Sequence, residues 1–309
     1  MNEHPPFSVT ILGNASAVPT AHSNLSAQLI AYGRKRFLVD CGEGTQHQLF
    51  KLHLKQSHID HILISHLHGD HFYGIFGLIS TFHLFGREKT LHLYAPAPLE
   101  KLISQVLEAS QTQLRYPLLF HALEDLNEDP LYQDDQLVIK CFPVSHRIAT
   151  WGFLFRETRK IRKINKKFIE SHQPSISHIK AIKAGDGYIT SSGTVLSHLD
   201  VTDAPPKSRS YAYCADTAYH EPIIPEIFKA DLIYHEATFD NSMQQLAQQK
   251  YHSTAQQAAV LAKKAEVGQL LLGHFSARHK DLTTLLQEAK AIFPSTEISI
   301  EGVTYKIGK

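Results

Sequence analysis

Ser65-His66-Leu67-His68-Gly69-Asp70-His71 sets four metal-binding side chains into six positions, at the end of a short strand expected to start at Ile59. In a locally extended turn, residues 66, 68 and 70 point to one side. His71 follows Asp70 directly, so that pair can serve a neighbouring position, which suits two metals better than one. Gly69 relaxes the backbone so that the ligands can converge. A chance match to this pattern occurs on the order of 10⁻² times in a chain this rich in histidine. The bland alternative is a satisfied polar loop.

Two metals need further ligands, and they fall at other strand ends. His146 closes Cys141-Phe142-Pro143-Val144-Ser145, Asp216 follows Tyr213-Cys214-Ala215, and His274 ends Leu270-Leu271-Leu272-Gly273. A single histidine in such a place is more often structural than a ligand. Three such groups beside the first motif reverse that reading. All the donors are nitrogen or oxygen with no thiolate, which suits Zn²⁺, Mn²⁺ or Fe rather than a structural cysteine site.

The 309 residues carry 21 histidines, 31 Lys and Arg, and 30 Asp and Glu, for a net charge of +1. Composition is that of an ordinary globular chain and excludes disordered, collagenous and coiled-coil classes. No apolar run approaches the ~18 residues of a spanning helix, so a membrane protein is not expected. The first residues lack the basic start and apolar core of a signal peptide, and a cytoplasmic protein is expected. Cys41, Cys141 and Cys214 are too few and too odd in number for a disulfide framework and read as small buried thiols. Residues 156–183 hold nine basic and two acidic side chains, a local +7 that leaves −6 for the rest. Such a block is either a solvated helical face or the footprint of a polyanion.

Strands are expected over 8–13, 25–32, 35–40, 59–65, 90–95, 116–122, 137–144, 151–155, 210–214, 232–235 and 270–273, with 25–40 a hairpin around Gly33-Arg34. Helices are expected over 46–54, 70–85, 253–265 and 282–293. With no internal repeat and no long linker, this reads as one α/β domain over 1–309 with two packed sheets and a basic arm inserted at 156–185.

These motifs resemble the metallo-β-lactamase superfamily and, within it, the ribonuclease Z (tRNA 3′-endonuclease) family. The resemblance runs from about Val9 to Tyr305. Besides the first motif it rests on Ile11-Leu12-Gly13, Asp40-Cys41-Gly42-Glu43-Gly44-Thr45-Gln46, Pro143-Val144-Ser145-His146 and Tyr213-Cys214-Ala215-Asp216-Thr217. The more specific strings are His235-Glu236-Ala237-Thr238, His252-Ser253-Thr254-Ala255 and Gly273-His274-Phe275-Ser276-Ala277-Arg278.

The resemblance implies a four-layer αβ/βα metallo-β-lactamase sandwich and two Zn²⁺ per subunit, with Mn²⁺ or Fe as substitutes. It places His66, His68 and His146 on one metal and Asp70, His71 and His274 on the other, with Asp216 bridging. Two such ions would deprotonate a shared water and clamp both oxygens of an in-line displacement at phosphorus. Asp70 would orient or deprotonate the nucleophile, and Glu236 with His252 would help protonate the leaving oxygen; a pair that only orients ligands is the structural alternative. Arg278, with Ser276 beside it, would hold a phosphate oxygen. Asp40 reads as a turn or supporting residue. The basic block becomes an RNA-gripping arm through Arg159, Lys160, Arg162, Lys163, Lys166, Lys167, Lys180 and Lys183.

The implied reaction removes the 3′ trailer from precursor tRNA, leaving a tRNA 3′-hydroxyl and a 5′-phosphorylated trailer, in a homodimer without membrane association. Two stretches depart from the family's pattern: Pro174 to Lys183 lacks the usual Gly/Pro tip, and Ala21-His22-Ser23-Asn24 lacks a basic residue before the asparagine. The runner-up is a phosphodiesterase or other hydrolase of small substrates on the same fold. A metal-bearing RNA-binding protein without turnover is the rival from another class.

Overall fold

A computed structural model describes residues 5–125, 129–158, 162–205 and 207–308. Arg159 and Lys160 of the basic block lie outside the described residues. The chain forms two compact units, a larger one carrying both large sheets and a smaller one made of Asp134–Leu137 and Glu157–Ser208.

In the larger unit the first sheet is built from β1 (Phe7–Gly13), β2 (Ala27–Tyr32), β3 (Lys35–Val39), β4 (Ile59–Leu63), β5 (Leu91–Ala95) and β6 (Leu118–Ala122). The second contains β7 (Tyr132–Gln133), β8 (Leu137–Pro143), β9 (Trp151–Glu157), β10 (Ser210–Cys214), β11 (Leu232–Glu236), β12 (Leu270–Gly273) and β13 (Thr296–Ile298). The last strand, β14 (Thr304–Lys306), returns to the first sheet beside β1. The spatial orders are β14-β1-β2-β3-β4-β5-β6 and β13-β12-β11-β10-β9-β8-β7. The β2–β3 turn uses Gly33 at φ 56°, the left-handed backbone that a two-residue hairpin requires.

Alternation along the strands separates the layers. On β10, Ala212 and Cys214 join a helix-side core with Ala255, Ala258 and Leu285 from α4 (Ala255–Lys264) and α5 (Thr283–Ile292); here α1 to α3 are Thr45–Lys51, Gly74–Leu84 and Pro98–Ala109. Tyr211 and Tyr213, alternating with them in sequence, point the other way and hydrogen-bond Gln28 of the first sheet and Asp40 at the end of β3. Phe37 of β3 meets Phe155 of β9 edge to face at 5.7 Å in the same middle layer. On the far side of the first sheet, Leu29, Leu38 and Ile62 pack on Ile75, Leu78 and Phe82 of α2 and Leu99 and Ile103 of α3. Helix, sheet, sheet and helix stack in that order, the αβ/βα arrangement. Cys41 and Cys214 are fully buried, as expected, whereas Cys141 is only half-buried.

The helix expected over 70–85 is two segments, Gly69–Phe72 and α2. The Gly74 amide, which would continue the first segment, donates instead to Cys41 O at 2.9 Å. A Cβ at Gly74 would stand 2.2 Å from Gly42 O, so only glycine permits that approach.

The smaller unit has a minimal core of Phe168, Ile182 and Val201, flanked by Ile164, Tyr188 and Leu196. Its helices Lys166–His172 and Ile176–Ala184 are capped by the Asn165 and Ser175 side chains, and Gly185 at φ 114° ends the second. Lys163–Ile164 pairs with Thr202–Asp203, and Tyr188–Ile189 with Val195–Leu196. The unit starts within a residue of the expected arm and runs on to Ser208.

Candidate metal centre and active site

Strand ends of both sheets converge on one rim, as open α/β sheets favour. From the first sheet come Asp40 after β3 and the 66–71 turn after β4; from the second come His146 after β8, Asp216 after β10, Thr238 after β11 and His274 after β12. Asp40, Asp216 and His274 have φ of 56°, 42° and 56°, so each leaves its strand through the left-handed region and swings its side chain toward the rim.

All seven sequence-derived ligands meet there. His66, His68, His146 and Asp216 form one group within ligand reach of a common point, and Asp70, His71 and His274 form another. Asp216 faces both: Oδ2 is 3.3 Å from His66 Nε2, and Oδ1 is 3.1 Å from His274 Nε2 and 3.3 Å from His71 Nε2.

Four imidazoles are oriented through the nitrogen that points away from the centre. His66 Nδ1 contacts Ser65 Oγ at 3.0 Å, His71 Nδ1 contacts Asp40 Oδ2 at 2.7 Å, His146 Nδ1 contacts Tyr251 O at 2.9 Å, and His274 Nδ1 contacts Thr238 Oγ1 at 2.9 Å. Each of these partners can accept the ring N–H, which leaves Nε2 with a lone pair at the centre. His68 is the exception and turns Nδ1 inward. Asp40, wholly buried, also accepts from Tyr213 Oη at 2.6 Å and from Ser65 N and Oγ at 2.7 and 2.9 Å, so it supports the centre without facing it.

The donor set fits divalent cations. His66 Nε2 and His68 Nδ1 lie 3.0 Å apart, His146 Nε2 and His68 Nδ1 3.2 Å, and His71 Nε2 and His274 Nε2 3.3 Å. Tetrahedral geometry with bonds of about 2.0–2.1 Å sets neighbouring ligands about 3.3 Å apart. Asp216 Oδ1 is buried with no hydrogen-bond partner among the described residues, a costly arrangement unless a cation shares the space. Burial pushes the His66 and His68 imidazoles down to about 4, so both are neutral donors at neutral pH. Burial alone would raise the Asp216 and Asp70 pKa values, but the surrounding histidines hold both carboxyls well below the usual range.

Beside the centre, Glu236 is fully buried and fully satisfied. Oε1 accepts from His252 Nδ1 at 2.8 Å and Thr217 N at 3.0 Å; Oε2 accepts from Thr238 Oγ1 at 2.7 Å and Thr238 N at 3.1 Å. Burial by itself lowers the His252 pKa, yet the Glu236 carboxylate against it carries it up to about 9. Asp70 Oδ2 accepts from the Ala17 amide at 2.7 Å, and Ala17 holds φ 65° to deliver that donor. A cavity of about 800 Å³ opens over these groups, lined among others by Asp70, His252, Ser276, Arg278, Arg147 and Lys250.

The remaining sequence-derived residues lie in the smaller unit. Lys163, Lys166, Lys167, Lys180 and Lys183 are exposed. Arg162 donates from Nε to Thr202 Oγ1 at 2.7 Å and from Nη2 to Thr202 O at 2.8 Å, a tie within that unit. Residue reading missed the supporting parts Ala17, Thr238 and Arg147. Arg147 carried a signal as a cation directly after His146, Thr238 closed the His235–Thr238 string without a role of its own, and Ala17 carried none.

The profile of the family described as "Anti-Pycsar protein Apyc1" matches residues 7–293. Ribonuclease Z of Bacteroides fragilis is 40% identical over 297 residues, covering 96% of this chain and 98% of that one. Ribonuclease Z of Phocaeicola vulgatus is 41% identical over 301 residues, covering 97% of each. The crystal structure of human tRNase Z, short form, aligns with a TM-score of 0.71 at 27% identity, over 98% of this chain and 100% of that one. The metallo-β-lactamase fold protein YhfI from Bacillus subtilis aligns at 0.69 with 20% identity, over 97% of this chain and 99% of that one, a likeness of fold.

Proposed function

We propose, for a chain that belongs to the ribonuclease Z family and to the family described as Anti-Pycsar protein Apyc1, that it cuts the 3′ trailer from precursor tRNA with two divalent metals, Zn²⁺ first among them. The enzyme is a hydrolytic endoribonuclease that processes tRNA. The observation carrying the finer reading is the double donor set divided between the two oxygens of Asp216.

His66, His68, His146 and Asp216 would hold one ion, and Asp70, His71, His274 and Asp216 the other. Bound there, two divalent ions supply Lewis acidity toward the phosphodiester and make an attacking water acidic. Asp70 orients that water and takes its proton; the Ala17 amide fixes one carboxylate oxygen for the task. On the leaving side His252, protonated through Glu236, gives a proton to the departing 3′-oxygen, which becomes the tRNA 3′-hydroxyl while the phosphate stays on the trailer. Arg278 steadies a phosphate oxygen from the cavity wall. The exposed lysines of the smaller unit grip the tRNA backbone, and the working species is a homodimer in the cytoplasm.

The test is cleavage of a 3′-extended precursor tRNA and of bis(p-nitrophenyl) phosphate by three proteins: wild type, Asp70→Ala, and a variant with Lys166, Lys167, Lys180 and Lys183 all changed to alanine. A single cut after the discriminator base, lost in Asp70→Ala and weakened in the lysine variant, supports the reading. Hydrolysis of the small ester alone would transfer the assignment to a phosphodiesterase of small substrates.

A further inference from the structure

We propose that Arg147 and Lys250 form a second phosphate-positioning subsite, holding the RNA linkage next to the one that is cut. The proposal rests on reading the centre as an RNA-cleaving one. Both residues are exposed and line the cavity over the metal ligands. They flank one hydrogen bond, His146 Nδ1 to Tyr251 O at 2.9 Å, with Arg147 directly after the first residue and Lys250 directly before the second. Among the described residues neither has a carboxylate partner, whereas other exposed cations do: Lys89 pairs with Asp60 and Lys264 with Glu221. With Arg278, the cavity presents three cations. A lone phosphodiester at the centre has one negative charge to offer them, whereas an RNA strand brings another at each linkage.

The geometry at His68 links Arg147 to the loaded state. His68 turns Nδ1 toward His66 and His146, while its Nε2 stands 3.0 Å from Arg147 Nη2. A guanidinium only donates, so this contact makes Nε2 the acceptor and leaves the ring proton on Nδ1. With Nδ1 on a cation, the ring proton must sit on Nε2, where it opposes the guanidinium donors. Among the described residues Arg147 has no other hydrogen-bond acceptor, and it turns to an anion in the cavity. Metal loading thereby hands the arginine to the substrate.

The experiment measures cleavage of a 3′-extended precursor tRNA by the metal-loaded enzyme as a function of salt, with Arg147→Ala, Arg147→Lys and Lys250→Ala. Binding of a precursor blocked by a 2′-O-methyl methylphosphonate at the cut site is measured with and without chelator. Each alanine variant should raise KM about tenfold, with a smaller change in kcat, as expected for one charge-assisted hydrogen bond. Each should also reduce the slope of log(kcat/KM) against log salt by about 0.7, the value for one single-strand phosphate contact. Arg147→Lys should restore the slope. Blocked RNA should bind Arg147→Ala about tenfold more weakly than wild type in metal-loaded protein, and equally in chelated protein.

An unchanged salt slope overturns the proposal. So does an equal fall of kcat/KM on precursor and on bis(p-nitrophenyl) phosphate with loss of bound metal, since Arg147 then acts only by holding His68. A wild type that leaves the precursor intact overturns the RNA reading together with the subsite; a wild type that cuts while the variants match it overturns the subsite alone.

Discussion

Asp40→Asn tests whether a buried carboxylate outside the metal positions sets the affinity of one half of the centre. Asp40 Oδ2 takes three donors, His71 Nδ1, Tyr213 Oη and Ser65 Oγ, and Oδ1 takes the Ser65 amide. An asparagine of the same shape does best with its NH₂ at the Oδ1 position, where it opposes one N–H instead of three donors. That mismatch costs about 1–3 kcal/mol, and the other three bonds lose their charge assistance, so roughly 2–4 kcal/mol of stability should go. His71 loses its anionic partner, and such losses lower metal affinity about 10–100-fold. The effect should be lopsided. Titration of apo protein against a chromogenic chelator should show one of two binding phases weakened, the one owed to Asp70, His71 and His274. Two phases falling together, or neither moving while urea unfolding stays at wild-type stability, would refute the assignment.

Other outcomes follow from the same geometry. In chelated protein the raised His252 pKa adds stability that is fully present below pH 6.5 and vanishes as pH rises through about 9, at most roughly 3 kcal/mol; the stability gap between wild type and His252→Gln in urea should therefore be wide at pH 6 and closed by pH 9.5. Gly74→Ala drives a Cβ into Gly42 O at 2.2 Å and should cost about 1–3 kcal/mol and disturb metal binding, whereas Gly33→Ala, with only Pro5 at 3.5 Å, should cost about 1–2 kcal/mol from its φ of 56° and leave metal binding alone. Zinc at about 1,000 times its Kd should stabilise the wild type by about 4 kcal/mol in thermal unfolding, and a gain of nothing would speak against a native-state site.

The centre was legible because its first four donor side chains fall within six positions and the others stand just beyond apolar runs, where a strand must release its next polar residue at a sheet edge. The middle layer was less so. Tyr211 and Tyr213 read as ordinary strand residues, and nothing local reveals that the second of them hydrogen-bonds Asp40 across the sheets. Residue reading also passed over α3, although Pro98 at its start and Leu99, Ile103 and Val106 at helical spacing announce it. The break at Tyr73 could not be foreseen, since the competing acceptor, Cys41 O, lies far back in the chain. Backbone donors such as Ala17 N leave no trace in residue type at all. The segment Tyr188 to Asp203 of the smaller unit escaped notice because its strands are two residues long and bury only Thr202, with Val201 buried just before it.

The ligands are shared between the two sheets, and His274 arrives long after His66 in chain order. A growing polypeptide therefore gathers the seven side chains in steps, four by residue 71, a fifth at 146, a sixth at 216 and the last at 274. Hydrolytic competence waits until β12 has been released and has docked beside β11. No propeptide or inhibitor is needed for this delay; the order of residues along the chain acts as the timer.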